Sequence, residues 1–369
     1  MPEGSLAADP SWVQEAEKVE TAEKIEKVGE QARCRELQPR PRLLLPAFVY
    51  LSYLFATFQF LRAYFFLVTP DLNAAKYEAG TEKLPFQARM LLSVVMRHAT
   101  QSPLLTRMAA HVRGTLHAPD VLALAIIDCF ALLLMAVVVR AFYCHLSPAG
   151  RLPWMPYCLL LWMLSATYIV RFQEDIYFPY DLLAASLFTL CIYLSYRRLY
   201  LPLLPVFCLA CFNRETILMI VPLLLINGLV RPRPVRGRWK ELAAATFMFA
   251  FWIAAQHYVH HRYAHNPSDL RIRIDSNLQF LARPQIWSQI ASGGGFLLPL
   301  PFLCWRFLPE PRLRAYALLI PAWVAIMCLV GLLPESRIFG ELLGLLAVLC
   351  TVLFERGYGV RGALSNPAK

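Results

Sequence analysis

Apolar stretches recur from residue 43 almost to the end of the chain, each of spanning length or slightly less, with short polar segments between them. They lie at about 43–69, 119–143, 153–170, 181–196, 199–212, 215–230, 241–261, 295–308, 315–333 and 338–354. Roughly 20 apolar residues cross the hydrocarbon core of a bilayer as a helix. The pattern therefore predicts an all-α, polytopic membrane bundle of about ten helices. The segments 199–212 and 295–308 are short and rich in proline. They are expected to be broken or tilted, with the freed backbone groups satisfied inside the protein.

Residues 1–42 follow another pattern. Ser11 and Gln14 have capping-box spacing, and Val13, Ala16, Val19, Ala22, Ile25 and Val28 recur every three residues between Glu and Lys. This reads as a charged, weakly amphipathic helix in a polar tail without a signal peptide. It is either a solvated segment or a docking element for a protein partner over residues 11–30. The division is then a tail at 1–42, a transmembrane domain at 43–354 and a second tail at 355–369. Loop 70–118 contains Phe86-Gln87-Ala88-Arg89 leading into MLLSVVMRHA, a stretch suited to a helix lying in the membrane interface.

Composition supports lipid as the solvent. Hydrophobic residues are 58% and charged residues 17%, against about 45–50% and 25% in soluble domains. Mean hydropathy is +0.47. The net charge of +11 would suit nucleic acid, but its distribution argues otherwise. With the N-terminus inside and ten alternating spans, the inner segments next to the membrane, leaving aside the tail at 1–32 and Lys369, receive eighteen basic residues, among them the run Arg231, Arg233, Arg236, Arg238 and Lys240. In those segments only Glu36, Glu241, Glu310 and Glu355 oppose them. The outer side holds thirteen basic and twelve acidic residues. That asymmetry obeys the positive-inside rule and places both termini inside. The positive charge meets membrane lipid, and no nucleic-acid partner is expected.

Nearly all the acids beyond the tail face outward on this topology, often beside arginines, and ionisable groups at helix ends are costly enough to mark function. Asp71 follows the first span as a candidate base or a helix cap. Glu174 and Asp175 are adjacent carboxylates in a short aromatic loop, which suits acid–base work or cation binding. Asp181 fits an N-cap of the fourth span. Arg214 and Glu215 sit between apolar segments that leave almost no loop, and Glu335, Arg337 and Glu341 enter the last span. Each of these is either a structural pair or a ligand site. Arg89 is a phosphate-binding candidate at the start of the interfacial helix; its bland reading is an arginine snorkelling to lipid. Asp128 lies inside the second span. His257, His261 and His265 recur every four residues, which leaves a divalent metal open without requiring one. Cys208 and Cys211 have zinc-knuckle spacing but no second pair, so they read as packing residues.

Asp71 after the first span, the interfacial segment, and the outward Arg/Glu sites at 214–215 and 335–337 resemble the C-type (GT-C) membrane glycosyltransferase superfamily. The likeness covers roughly 43–354. The signatures Pro-Phe-Gln-x-Arg, Arg-Glu-Thr and Glu-x-Arg are also similar to those of polytopic bacterial membrane proteins. The resemblance implies transfer of a sugar from a polyprenyl-phosphate lipid at the outer face of a bacterial inner membrane. Catalysis would involve Asp71, Glu174 and Asp175; Arg89, Arg214, Glu215, Glu335 and Arg337 would bind substrate. The competing classes are a lipid or solute transporter and a non-catalytic subunit of a membrane complex.

Overall fold

A computed structural model describes residues 44–67, 69–70, 72–112, 114–148, 152–170, 176–230, 238–269 and 271–364. The tail helix, Asp71, Glu174 and Asp175 lie outside the described residues. The chain forms two compact units, Met1–Ser52 and Tyr53–Lys369, and the bundle with its cavities belongs to the second. The helices are α1 (Leu44–Leu67), α2 (Ala74–Ala79), α3 (Met90–Thr100), α4 (Pro103–Ala110), α5 (Pro119–Leu146), α6 (Met155–Tyr168), α7 (Asp181–Arg197) and α8 (Tyr200–Cys211). They continue as α9 (Ile220–Leu229), α10 (Trp239–Arg262), α11 (Ile274–Leu281), α12 (Pro284–Ser292), α13 (Leu300–Leu303), α14 (Pro311–Ala317), α15 (Leu319–Val330) and α16 (Leu343–Leu364). Two-residue strands β1 (Thr69–Pro70) and β2 (Ile176–Tyr177) pair in parallel, Pro70 opposite Tyr177.

Among the described residues, four stretches are long and apolar enough to cross a membrane: 119–146, 239–262, 311–330 and 336–357. The segment expected at 199–212 is a single short helix with Pro205 inside it, and 215–230 opens as a 3-10 turn before α9. The segment at 295–308 breaks into the four-residue α13 and a 3-10 turn. The break expected at 199–212 is not found, since α8 runs unbroken through Pro205; at 295–308 Pro299 and Pro301 explain the interruption, because proline removes a backbone donor and its ring crowds the preceding turn.

The spans differ in role. Of the most apolar part of 336–357, 83% is buried inside the protein, against 28% in 239–262. The former is the bundle's centre, packed on α5, α6 and α7, while α10 leaves most of its apolar surface unburied. Close packing at the centre needs glycine: a Cβ on Gly344 would lie 2.2 Å from Thr189 Oγ1 of α7. At the C-terminal end of α7, Asn227 of α9 donates to the Ser195 carbonyl at 3.1 Å and to Tyr316 Oη at 2.8 Å. Arg312 stacks 4.2 Å over Tyr196 and donates to Asn227. The clamp's polar groups are used within the protein, and it ties α7, α9 and α14 together.

Candidate functional site

At the opposite end of α7, five segments distant in sequence meet. The first is the loop before α3. Gln87, fully buried, accepts from Glu82 N at 3.1 Å and donates to the Tyr77 carbonyl at 3.3 Å. Tyr77 Oη in turn donates to the Arg89 carbonyl. The Phe-Gln-x-Arg sequence is thus a clip: the glutamine folds the loop and the arginine points inward. Arg89 makes a two-point pair with Glu215, Nη2 to Oε1 at 2.8 Å and Nε to Oε2 at 3.3 Å. Its guanidinium lies 4.5 Å from the Tyr180 ring centroid. Burial alone would lower its pKa, but Glu215 and Tyr180 outweigh that and hold it well above its usual value.

The second segment follows β2. Phe86, Phe178 and Tyr180 form an aromatic ladder, with centroid separations of 5.1 and 5.5 Å. Asp181, fully buried, opens α7 beneath it. The third is Asn213-Arg214-Glu215-Thr216, in which each residue has a separate job. Asn213 donates to the Tyr180 carbonyl at 3.2 Å. Arg214 reaches Asp181 Oδ1 at 3.3 Å and Glu341 Oε1 at 2.8 Å. Glu215 takes Arg89, and its carbonyl accepts from Trp252 Nε1 at 3.0 Å. Thr216 donates to Glu341 Oε2 at 2.6 Å.

The fourth segment runs from Glu335 into the 3-10 stretch Ser336–Leu342. Arg337 stacks 3.9 Å over Phe178, lies 3.7 Å from Asp181 Oδ2 and donates to Glu335 Oε2 at 2.6 Å. Ser336, bonded to the Thr167 carbonyl at 2.6 Å, anchors the start of the stretch. The fifth is the strap at 269–273, where Asp269 faces Arg273 at 3.4 Å and Arg271 at 3.9 Å.

Of the eight site residues expected from sequence, Arg89, Arg214, Glu215, Glu335 and Arg337 converge on one cavity of about 740 Å³. Two expected pairings are corrected. Arg214 and Glu215 do not pair with each other, and Arg337 does not take Glu341. Sequence neighbours at i and i+1 point to different sides. In a 3-10 stretch of three residues per turn, i and i+4 do not stack as they do in an α-helix. Sequence reasoning undervalued Asp181, which is a buried anchor for two arginines rather than a cap; Tyr180 is the N-cap. The signal for it was present, since an acid opening an apolar span beside an aromatic loop is costly unless paired. Trp252, Phe178 and Thr216 gave no such signal.

The remaining expectations fall elsewhere. His257, His261 and His265 are exposed, and among the described residues no group of three or more His, Cys, Asp or Glu side chains could hold a metal. Cys211 is buried in the core. Asp128 is 1% exposed on α5, and neither carboxylate oxygen has a hydrogen-bond partner among the described residues.

The arrangement has two chemical halves. Its charged floor carries Arg89, Arg214 and Arg337, with buried Asp181 and Glu341 behind them. Its side walls carry Leu218, Met219, Ile326, Met327, Val330 and Ile338. Asp181 and Glu341 are buried, whereas the side chains of Glu215 and Glu335 are 36% and 31% exposed. An anionic group arriving at the arginines would replace those two accessible carboxylates, not the buried ones. No protein-family model, curated protein or solved structure matches this chain.

Proposed function

We propose that the cavity binds the phosphate of a polyprenyl-phosphate lipid, and that the protein transfers the attached sugar to an acceptor at the outer face of the membrane, as GT-C glycosyltransferases do. The observation that carries this reading is the juxtaposition of three buried arginines with an apolar wall in one cavity. An amphiphile with an anionic head matches both halves. The bundle crosses the membrane about ten times in this reading, with both termini inside and the cavity outward, in a bacterial inner membrane.

The chemistry follows from charge. As the glycosidic bond breaks, negative charge grows on the leaving phosphate, and arginines fixed in a water-poor site stabilise it without reorganising. Phosphate binding displaces Glu335 from Arg337 and Glu215 from Arg89, while Asp181 and Glu341 keep the guanidiniums in place. Asp71 removes the acceptor's hydroxyl proton, giving inversion, with Glu174 and Asp175 as the other acid candidates. Mass spectrometry of lipid co-purified with the protein tests this reading. A bound polyprenyl phosphate, lost in Arg337→Ala, is the expected result. A wild-type protein that neither retains such a lipid nor binds it when supplied would end this reading.

One observation favours a second reading. An unpartnered acid inside an apolar helix, as Asp128 is among the described residues, suits proton or solute transport. Proton flux in vesicles that depends on Asp128 would support that reading over the enzyme.

A further inference from the structure

A second cavity, of about 580 Å³, opens at the other end of the bundle between the first turns of α8 and α10. Its wall is apolar, formed mainly by Leu201, Leu204 and Phe247, and its polar edge is formed by Arg198, Tyr200, Trp239 and Lys240. Leu201 is 87% exposed, so in water this surface would be a liability. It lies beside α10, a helix long enough to span and mostly unburied, so in a membrane it would face hydrocarbon. The Lys240 ammonium lies 5.7 Å from the Trp239 ring centroid, at the level where the apolar wall ends. Aromatic and basic residues at such a level mark the boundary between acyl chains and headgroups.

Among the described residues, the cations at or next to that boundary are Arg198, Arg238 and Lys240. Glu241, the nearest carboxylate, is buried and lies 3.6 Å from Arg198. Neither α8 nor α10 has a side chain capping its first turn, so both helix starts add partial positive charge to the same edge. A lipid with a zwitterionic head would bring its own cation to this edge; a lipid with a net negative head would not.

We infer that this groove is a binding site for an anionic glycerophospholipid, its phosphate against Lys240 and one acyl chain along Leu201, Leu204 and Phe247. The site is separate from the arginine cavity and does not depend on the function proposed for it. The lipid would clamp α8 to α10 at their starting ends.

Native mass spectrometry of the full chain in neutral detergent tests the proposal, using phosphatidylglycerol and phosphatidylcholine with identical acyl chains. The wild type should retain phosphatidylglycerol several-fold more than phosphatidylcholine. Lys240→Gln should lower phosphatidylglycerol retention about fivefold, the effect of one basic residue near a charged headgroup. Lys76→Gln, at an exposed lysine on α2, should change nothing. Ala243 is exposed on the groove wall, so Ala243→Phe fills the groove without entering the core and should abolish the preference. Equal retention of the two lipids by the wild type would overturn the site. So would equal losses in the two lysine variants, or full retention in Ala243→Phe.

Discussion

Arg214 is held by two carboxylates that have almost no access to water, and this decides what its loss would cost. In Arg214→Ala both Asp181 and Glu341 keep their burial and lose their closest cation. Removing one partner of a buried pair costs about 3–5 kcal/mol, so the variant should melt far below the wild type in detergent. Adding Glu341→Gln should recover part of that loss, because one stranded charge is then gone. By contrast, Asp269→Asn touches charges near water, where the Asp269 side chain is 41% exposed and that of Arg271 65%. It should shift stability by less than about 1 kcal/mol. Arg337→Lys separates binding from folding. Lysine keeps the charge but loses the planar stack on Phe178 and the second donor. Lipid-phosphate binding should fall sharply while the melting temperature moves much less than in Arg214→Ala. If the two variants melt alike, Arg337 is a structural residue first.

At the level of elements, the chain's own pattern marked α1, α3, α5 to α8 and α10 to within a few residues, but not the short helices α2, α4, α11 and α12 in the polar loops. Apolar runs bounded by proline, glycine and charge leave little choice of structure. What the pattern could not give was partnership. Nothing in Asn-Arg-Glu-Thr reveals that its arginine serves one helix and its glutamate another loop, because that depends on how five segments meet. Nor does a sequence distinguish a 3-10 stretch at 336–342 from the first turns of an α-helix, although that difference moves Glu341 from Arg337 to Arg214. Helix contact was equally hidden, yet it can be tested at Gly344. Gly344→Ala should destabilise the bundle by about 1–3 kcal/mol, the usual cost of overpacking, since Thr189 cannot retreat. Thr189→Ala combined with it should restore most of the loss in the same melting experiment. Additive losses would mean that the two positions do not meet.

For the molecule as a whole, composition alone already required lipid, and four of the described helices have the length and hydropathy to cross it. The larger count rests on charge asymmetry, which is a statement about sides and is testable as one. Single cysteines at 231–240 and at 262–294 should react with impermeant reagent from opposite faces of sealed vesicles. Reaction of 231–240 from the outer face would reverse the orientation and turn the arginine cavity inward. The low exposure of the site's buried charges also has a plain reading at this scale: they were legible as anomalies, costly residues where none was needed, before any partner was visible.

The burial of α16 has a bearing on how the protein is made. A chain is inserted in order, yet its most central helix is the last one described, and Arg337 and Glu341 immediately precede it. Until that segment leaves the ribosome, α5, α6 and α7 have no centre to pack on, and Arg214 lacks one of its two anions. The cavity is therefore completed only after that segment has emerged. A nascent chain halted before residue 335 would hold several inserted helices but could not yet engage a ligand.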